Sequence, residues 1–376
     1  MKSSHGHAGK EEASPLRELF ECAEENASAI HKRFRILRRG GKMLLALPFA
    51  AAEASTTLSL YAPQRLMARV FTSVLRLVIL AGLPSPLAVE EIRIDPGDSL
   101  CEFLSGLSAS WRKSTGGLGV FAGNPNAVGR RFVLMLFDNG RAVAVVKAGV
   151  GGAAQALVSA EAAFLQSAGC IGIAAPLAVL KSERVHAFAM TPLEGAAPRN
   201  ATAGDIQKVL FPWIDTAALV PLADIPGWAR VRAVCGDSPE WKSHCAALET
   251  RTVHPAIVHG DFAPWNIKVH PKSGAWQVFD WERGEMRGVP AWDWLHFEVQ
   301  NAVLVRRETA EGVMAGVGRL FAAPEFRAYA EKAGISGMEG GLLAAYLLYC
   351  IAVVGQTEGL ETLRAMLALQ RLSHTS

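Results

Sequence analysis

Apolar runs separated by turn residues dominate the middle of the chain. Residues 131–137 and 141–147 are strand-like runs joined by Asp138-Asn139-Gly140, a strong hairpin signal. Over residues 153–167 the period changes, and Ala156, Leu157, Ala160, Phe164 and Leu165 recur at helical spacing. Residues 185–190 predict another strand. Residues 256–258 form a short apolar entry to a His-Gly turn, and residues 265–270 and 275–279 read as two strands joined by a reverse turn. Nearer the start, the pattern predicts a helix over 15–32, strands over 34–37, 43–47 and 56–61, and a helix opening at Pro63. Asp95-Pro96-Gly97-Asp98 then marks a break.

Two greasy stretches change the picture little. Residues 66–83 contain Arg69 and Arg76 and predict an amphipathic or core helix. Residues 341–355 fall short of the roughly twenty apolar positions a membrane span requires, and predict a buried helix. With 376 residues the chain can build two lobes and an extension. The expected division is a disordered stretch over 1–12, a mixed α/β N-terminal extension over 13–105, a β-rich lobe over 106–195 and a helical lobe over 196–376. Charge is nearly balanced, 38 basic against 35 acidic residues, which argues against a nucleic-acid partner. The six Cys lack metal-ligand spacing and the first residues hold no apolar signal segment, so a cytoplasmic location is expected. The basic run over residues 31–39 reads as the wet face of a strand, with contact to anionic lipid or a polyanion left open.

The chemistry concentrates in His259-Gly260-Asp261-Phe262-Ala263-Pro264-Trp265-Asn266 and Asp280-Trp281-Glu282. An Asp five residues before an Asn, with a second Asp at the end of the following hairpin, fits phosphoryl transfer. One carboxylate orients the acceptor hydroxyl and takes its proton, while two separate oxygen ligands hold the divalent metal on the nucleotide phosphates. Asp261 is then the candidate base, and Asn266 and Asp280 the candidate metal ligands. Antiparallel pairing of the two arms would bring those ligands side by side.

These segments resemble the aminoglycoside phosphotransferase and choline kinase family, small-molecule kinases of the protein-kinase-like fold. The family carries His-Gly-Asp and Asp-Trp-Glu at the matching places, and Gly288-Val289-Pro290-Ala291-Trp292-Asp293 looks like its next conserved segment. The resemblance is sharp over residues 255–298 and plausible back to about 110. It implies an α+β, protein-kinase-like two-lobe fold, with ATP or GTP as donor, Mg²⁺ as cofactor and a small-molecule hydroxyl as acceptor. His259 and Asp293 are implied supports of the catalytic loop, and residues 191–195 a hinge beside the adenine.

A kinase-like site also requires a Lys on a strand and an acid on the next helix to hold it. Lys147 is the only Lys between Lys113 and Lys181, and Glu161 the only acid between Asp138 and Glu183. A glycine-bearing loop should cover the phosphates. Residues 122–129, with Gly123, Asn124 and Gly129, are preferred over residues 114–119 because they lie between two apolar runs. The acids after Asp293 (Glu298, Glu308, Glu311) are balanced by Arg306 and Arg307, which favours a neutral or sugar-like acceptor over a polycation. Other readings are a degenerate kinase-like protein that binds nucleotide or a partner, a protein kinase, and a metallohydrolase using His254, His259, Asp261 and Asp280. The N-terminal extension could serve a partner protein.

Overall fold

The computed structural model describes residues 14–23, 29–61, 66–83, 87–113, 116–123, 130–169 and 173–373. The expected disordered stretch over residues 1–12 lies outside them, as do Pro63, Asn124 and Gly129. The chain divides into two compact units, Met1–Ala163 with Ala174–Pro192, and Phe164–Ile173 with Leu193–Ser376. The first is built on a sheet and the second is mostly helical, so the α+β class expected of a kinase-like chain is what the structure has.

The first unit runs α1 (Pro15–Leu19), β1 (Ile30–Arg39), β2 (Lys42–Leu47), α2 (Ala51–Thr57), α3 (Leu66–Leu80), β3 (Ala88–Ile94), α4 (Ser99–Leu107), β4 (Gly117–Phe121), β5 (Arg130–Asp138), β6 (Arg141–Val150), α5 (Gly152–Ala168, whose last turns belong to the second unit), β7 (Ala178–Lys181) and β8 (Val185–Met190). Its eight strands form one antiparallel sheet in the order β3-β1-β2-β4-β5-β6-β8-β7. Asn139 and Gly140, both at positive φ, make the β5–β6 turn that the Asp-Asn-Gly signal predicts.

Strands of residues 14–105 and of the later segment share one core. Phe34 and Ile36 of β1 pack with Trp111, Phe132, Leu134 and Val146. Arg184, in the β7–β8 turn, reinforces the join: it donates to the carbonyls of Leu19 (2.9 Å) and Glu18 (3.1 Å) and pairs with Asp98 and Glu21.

Three local expectations fail for physical reasons. The helix expected over 15–32 ends at Leu19, because Ile30, Lys32, Phe34 and Ile36 bury alternate positions of a strand. Residues 56–61 are the end of α2 and a 3₁₀ turn rather than a strand. There Thr56 and Thr57 hydroxyls donate to the carbonyls of Ala52 and Glu53, which settles β-branched residues on a helix. Lys32 is not on the wet face: its buried ammonium donates to the carbonyls of Trp111 (2.8 Å), Lys113 (3.3 Å) and Gly116 (2.7 Å).

The second unit continues with α6 (Ala203–Leu210), β9 (Val220–Pro221), α7 (Pro226–Cys235), α8 (Pro239–His244), β10 (Thr252–Val253), β11 (Ala256–Val258), β12 (Ile267–Val269), β13 (Trp276–Val278), β14 (Glu285–Gly288), α9 (Trp292–Gln300), α10 (Ala310–Ala322), α11 (Pro324–Ala333), α12 (Glu339–Leu348) and α13 (Leu360–Ser373). The apolar run over 341–355 is the buried α12 with a π turn after it. Among the described residues no helix is long and apolar enough to cross a membrane.

Candidate active site

The His-Gly-Asp turn leaves β11 and enters a 3₁₀ turn that delivers Asn266 to β12. Gly260 sits at φ +78°, and a Cβ there would come within 2.7 Å of the Arg283 Cβ, so the turn requires glycine. Asp293, in the first turn of α9, clamps this turn from behind. Its carboxylate accepts from the amides of His259 (2.6 Å) and Gly260 (3.0 Å). Burial pushes the Asp293 carboxyl up to about 7, although both amides favour its anion.

His259 is fully buried and has both ring nitrogens engaged. Nδ1 accepts from the Asp261 amide (3.1 Å), which leaves Nε2 to donate to the Phe279 carbonyl (2.9 Å). The imidazole therefore ties the loop that carries Asp261 to the far arm of the hairpin. Burial pushes it down to about 4, so it stays neutral. Trp281 packs at 4.6 Å from this ring and at 5.2 Å from Trp213, anchoring the segment after Asp280 in the core.

Asp261 is held on both oxygens. Oδ2 accepts from Asn266 Nδ2 (2.8 Å), and Oδ1 pairs with His296 Nε2 (2.9 Å). Burial opposes its charge, but the hydrogen bond from His296 and the charge of the nearby Arg283 hold the carboxyl below its ordinary value. Asn266 Nδ2 also donates to the Asp261 carbonyl (2.9 Å), so Oδ1 is the atom Asn266 can turn to a cation.

The hairpin pairs as expected, with Ile267 opposite Val278 and Val269 opposite Trp276. The Phe279 amide bonds to the Asn266 carbonyl (3.0 Å), which brings the residue before Asp280 against Asn266. Asp280 itself has φ +69°, a left-handed conformation that Asp tolerates better than most residues. One carboxylate and one amide oxygen suit Mg²⁺, which takes one or two protein carboxylates and completes its shell with phosphates and water. A hydrolytic metal cluster does not fit. His259 has no free nitrogen, His254 Nδ1 bonds to the Ala218 carbonyl (2.6 Å), and no three His, Cys, Asp or Glu side chains converge among the described residues.

In the first unit, Lys147 of β6 stands opposite Val133 and Phe188 on the neighbouring strands. Its Nζ lies 2.5 Å from Glu161 Oε2 on α5, and the Glu161 side chain is 4% exposed. A carboxylate so buried beside an ammonium holds the long Lys stem in one direction. Gly123 has φ +67° and no room for a Cβ, which would meet the Arg131 carbonyl at 2.3 Å. The glycines of the other loop candidate have a packing role instead: a Cβ on Gly117 or Gly119 would collide with Glu53 or Thr57 of α2.

Backbone in and just after the expected hinge also joins the hairpin. Val269 bonds to the Ala196 carbonyl (2.8 Å), and Lys268 Nζ to the Leu193 carbonyl (2.9 Å). Gly195 has φ +111° and lies so close to Val269 that no side chain fits.

His296 escaped the sequence reading. It lies three residues after Asp293, hence on the same face of α9, so that one helix face supports the loop at two points. Behind it, Tyr346 OH is 3.2 Å from His296 Nδ1, and Gln300 Nε2 donates to Tyr346 OH (3.1 Å). Gln300 and Gln356 exchange amide bonds at 2.9 Å. With Nε2–H of His296 facing Asp261, one run of donors leads from Gln300 through Tyr346 and His296 to that carboxylate. His296→Leu would take a partner from a carboxylate oxygen and the acceptor from the Tyr346 O–H, an expected loss of about 3 kcal/mol, against about 1 kcal/mol for Tyr346→Phe. Urea unfolding of both variants measures the difference, and equal losses would remove the network from the account.

No family model matches the chain, and no curated protein matches it in sequence. Solved structures do match in fold. A thermostable mutant of aminoglycoside phosphotransferase APH(4)-Ia, in ternary complex with AMP-PNP and hygromycin B, is 14% identical with a TM-score of 0.44, the match covering 71% of this chain and 97% of that one. For an ethanolamine kinase of Plasmodium vivax the values are 10%, 0.41, 67% and 82%. For macrolide 2'-phosphotransferase MphH of Brachybacterium faecium they are 16%, 0.38, 70% and 97%.

Proposed function

We propose that the protein is a small-molecule kinase that transfers the γ-phosphoryl group of ATP or GTP to an alcohol. The observation that carries this reading is the doubly held Asp261 carboxylate, with Asn266 on one oxygen and His296 on the other. Each oxygen keeps a lone pair for an incoming hydroxyl. An ionised, weakly basic carboxylate suits a transfer in which the nucleophile loses its proton late. Asp261 accepts the hydrogen bond of the acceptor O–H, so that the oxygen lone pair faces the γ-phosphorus, and takes the proton as the new O–P bond forms and the bond to the β–γ bridging oxygen breaks, releasing the nucleoside diphosphate. Asn266 and Asp280 would hold Mg²⁺, whose contribution is to neutralise charge on the phosphates. Lys147, steadied by Glu161, supplies the cation for the nucleotide phosphates, while Gly123, Asn124 and Gly129 belong to the loop proposed to cover them. Residues 191–195 present backbone to the adenine.

A neutral or sugar-like acceptor fits best. Glu298 and Glu308 both pair with Arg306, at 3.1 and 2.5 Å, and Glu358 with Arg307 at 3.2 Å, so these acids are occupied. The site is assigned to a cytoplasmic enzyme.

Thermal-shift measurement with Mg·ATP and Mg·GTP, followed by transfer assays on hydroxylated metabolites, tests the reading. Stabilisation without transfer to any acceptor would favour a binding protein of the same fold. Lys147→Ala and Glu161→Ala should each impair transfer and blunt the nucleotide-induced shift. The double variant should be little worse than Lys147→Ala, because Glu161 acts through Lys147. Additive losses would mean that the pair does not act as a unit.

A further inference from the structure

Apart from the site, the most anomalous surface is α3. Leu75 and Ile79 bury against Leu37, Leu45 and Leu47 of the sheet. Met67, Val70, Phe71, Val74 and Leu77 nevertheless face solvent, Met67 at 80% and Leu77 at 67% exposure. Their spacing of three, four, seven and ten residues from Met67 makes one stripe, about 15 Å long at the helical rise. An ordinary surface helix does not present an unbroken stripe of large apolar side chains.

The charge around this helix says what would cover it. Between residues 31 and 87 the sequence holds nine Lys and Arg and one acid, Glu53, in a chain that is otherwise nearly balanced. Glu53 is buried. Arg33, Arg38, Arg39, Lys42 and Arg76 are exposed. Arg76 donates to the Ser55 carbonyl (3.2 Å), fastening α3 to α2, and Arg39 reaches Tyr61, which packs in the same cluster. Arg33 and Arg35 lie over the ring of Phe49, at 5.1 and 4.8 Å, and Phe49 is itself exposed. Exposed acid returns with Glu91 on β3, opposite Arg33. An apolar stripe on a helix without acids, in a segment whose exposed charges are basic and which also exposes an aromatic ring, has the makeup of a surface that lies in the headgroup layer of a bilayer.

We propose that α3 and the arginines of β1 dock the protein on an anionic membrane surface, with the apolar stripe entering the acyl boundary and the guanidinium groups meeting lipid phosphates. This goes beyond the catalytic reading and does not depend on it.

Flotation of the full chain with vesicles of phosphatidylcholine, alone or mixed with phosphatidylserine, tests the proposal. Binding should rise at least tenfold with the anionic lipid and fall as salt is added. Val74→Asp with Leu77→Asp should cut it at least tenfold, with circular dichroism and thermal unfolding unchanged because both side chains are exposed. Arg38→Glu with Arg39→Glu should weaken binding and flatten its salt dependence. Absent binding, or equal binding to neutral vesicles, overturns the proposal. So does a dimer in sedimentation velocity that Leu77→Asp dissolves without any vesicle binding, since the stripe would then join two copies of the chain.

Discussion

Asp261→Asn is expected to lower turnover by about 10² or more while Mg·ATP affinity stays near that of the parent, the pattern of a lost general base. The substitution is nearly isosteric. Its amide keeps one oxygen acceptor, but the new NH₂ must face either Asn266 Nδ2 or His296 Nε2, both donors in the parent. A modest loss of stability therefore accompanies the loss of turnover. Single-turnover kinetics and nucleotide titration separate the two effects. Turnover within a few-fold of the parent would remove Asp261 from the chemistry.

Asp280→Asn carries the second large effect. Mg²⁺ prefers hard anionic oxygen, so exchanging the carboxylate for an amide should weaken Mg²⁺-dependent nucleotide binding sharply and abolish transfer. The fold should survive, because Asn tolerates the left-handed backbone that residue 280 adopts. Calorimetry with and without Mg²⁺ is the direct measurement. Unchanged Mg·ATP affinity together with unchanged activity would disprove the assignment of Asp280 as ligand.

What could be read from sequence was what depends on short range. The β5–β6 hairpin announced itself through Asp138-Asn139-Gly140, and the paired arms around Asn266 and Asp280 through two short apolar runs and a turn. Lys147 and Glu161 were visible as solitary charges on neighbouring elements, and the ion pair they form is present. Lys32 was misread because a basic run hides strand parity: its neighbours Arg33 and Arg38 are wet, while its own position faces Trp111. His296 and Tyr346 were invisible because a His on an apolar helix and a Tyr in an apolar run carry no signal until α9 and α12 are side by side. The loop over residues 122–129 was weakly marked, and only Gly123 of its assigned residues is described.

The sheet order has a consequence for how this chain can be dissected. Residues 14–105 supply β2, whose Leu45 and Ala46 pair with Phe121 and Val120 of β4. Without them β4 would become a sheet margin, with unpaired amides and carbonyls along a short strand that carries Leu118 and Val120. Raw margins of that kind template association with other chains. Trp111, Phe132 and Val146 would also lose Phe34 and Ile36 from above them. The extension thus acts as an edge guard and a core donor at once, and trimming the chain to residues 106–376 would yield an aggregating fragment rather than a smaller folded unit.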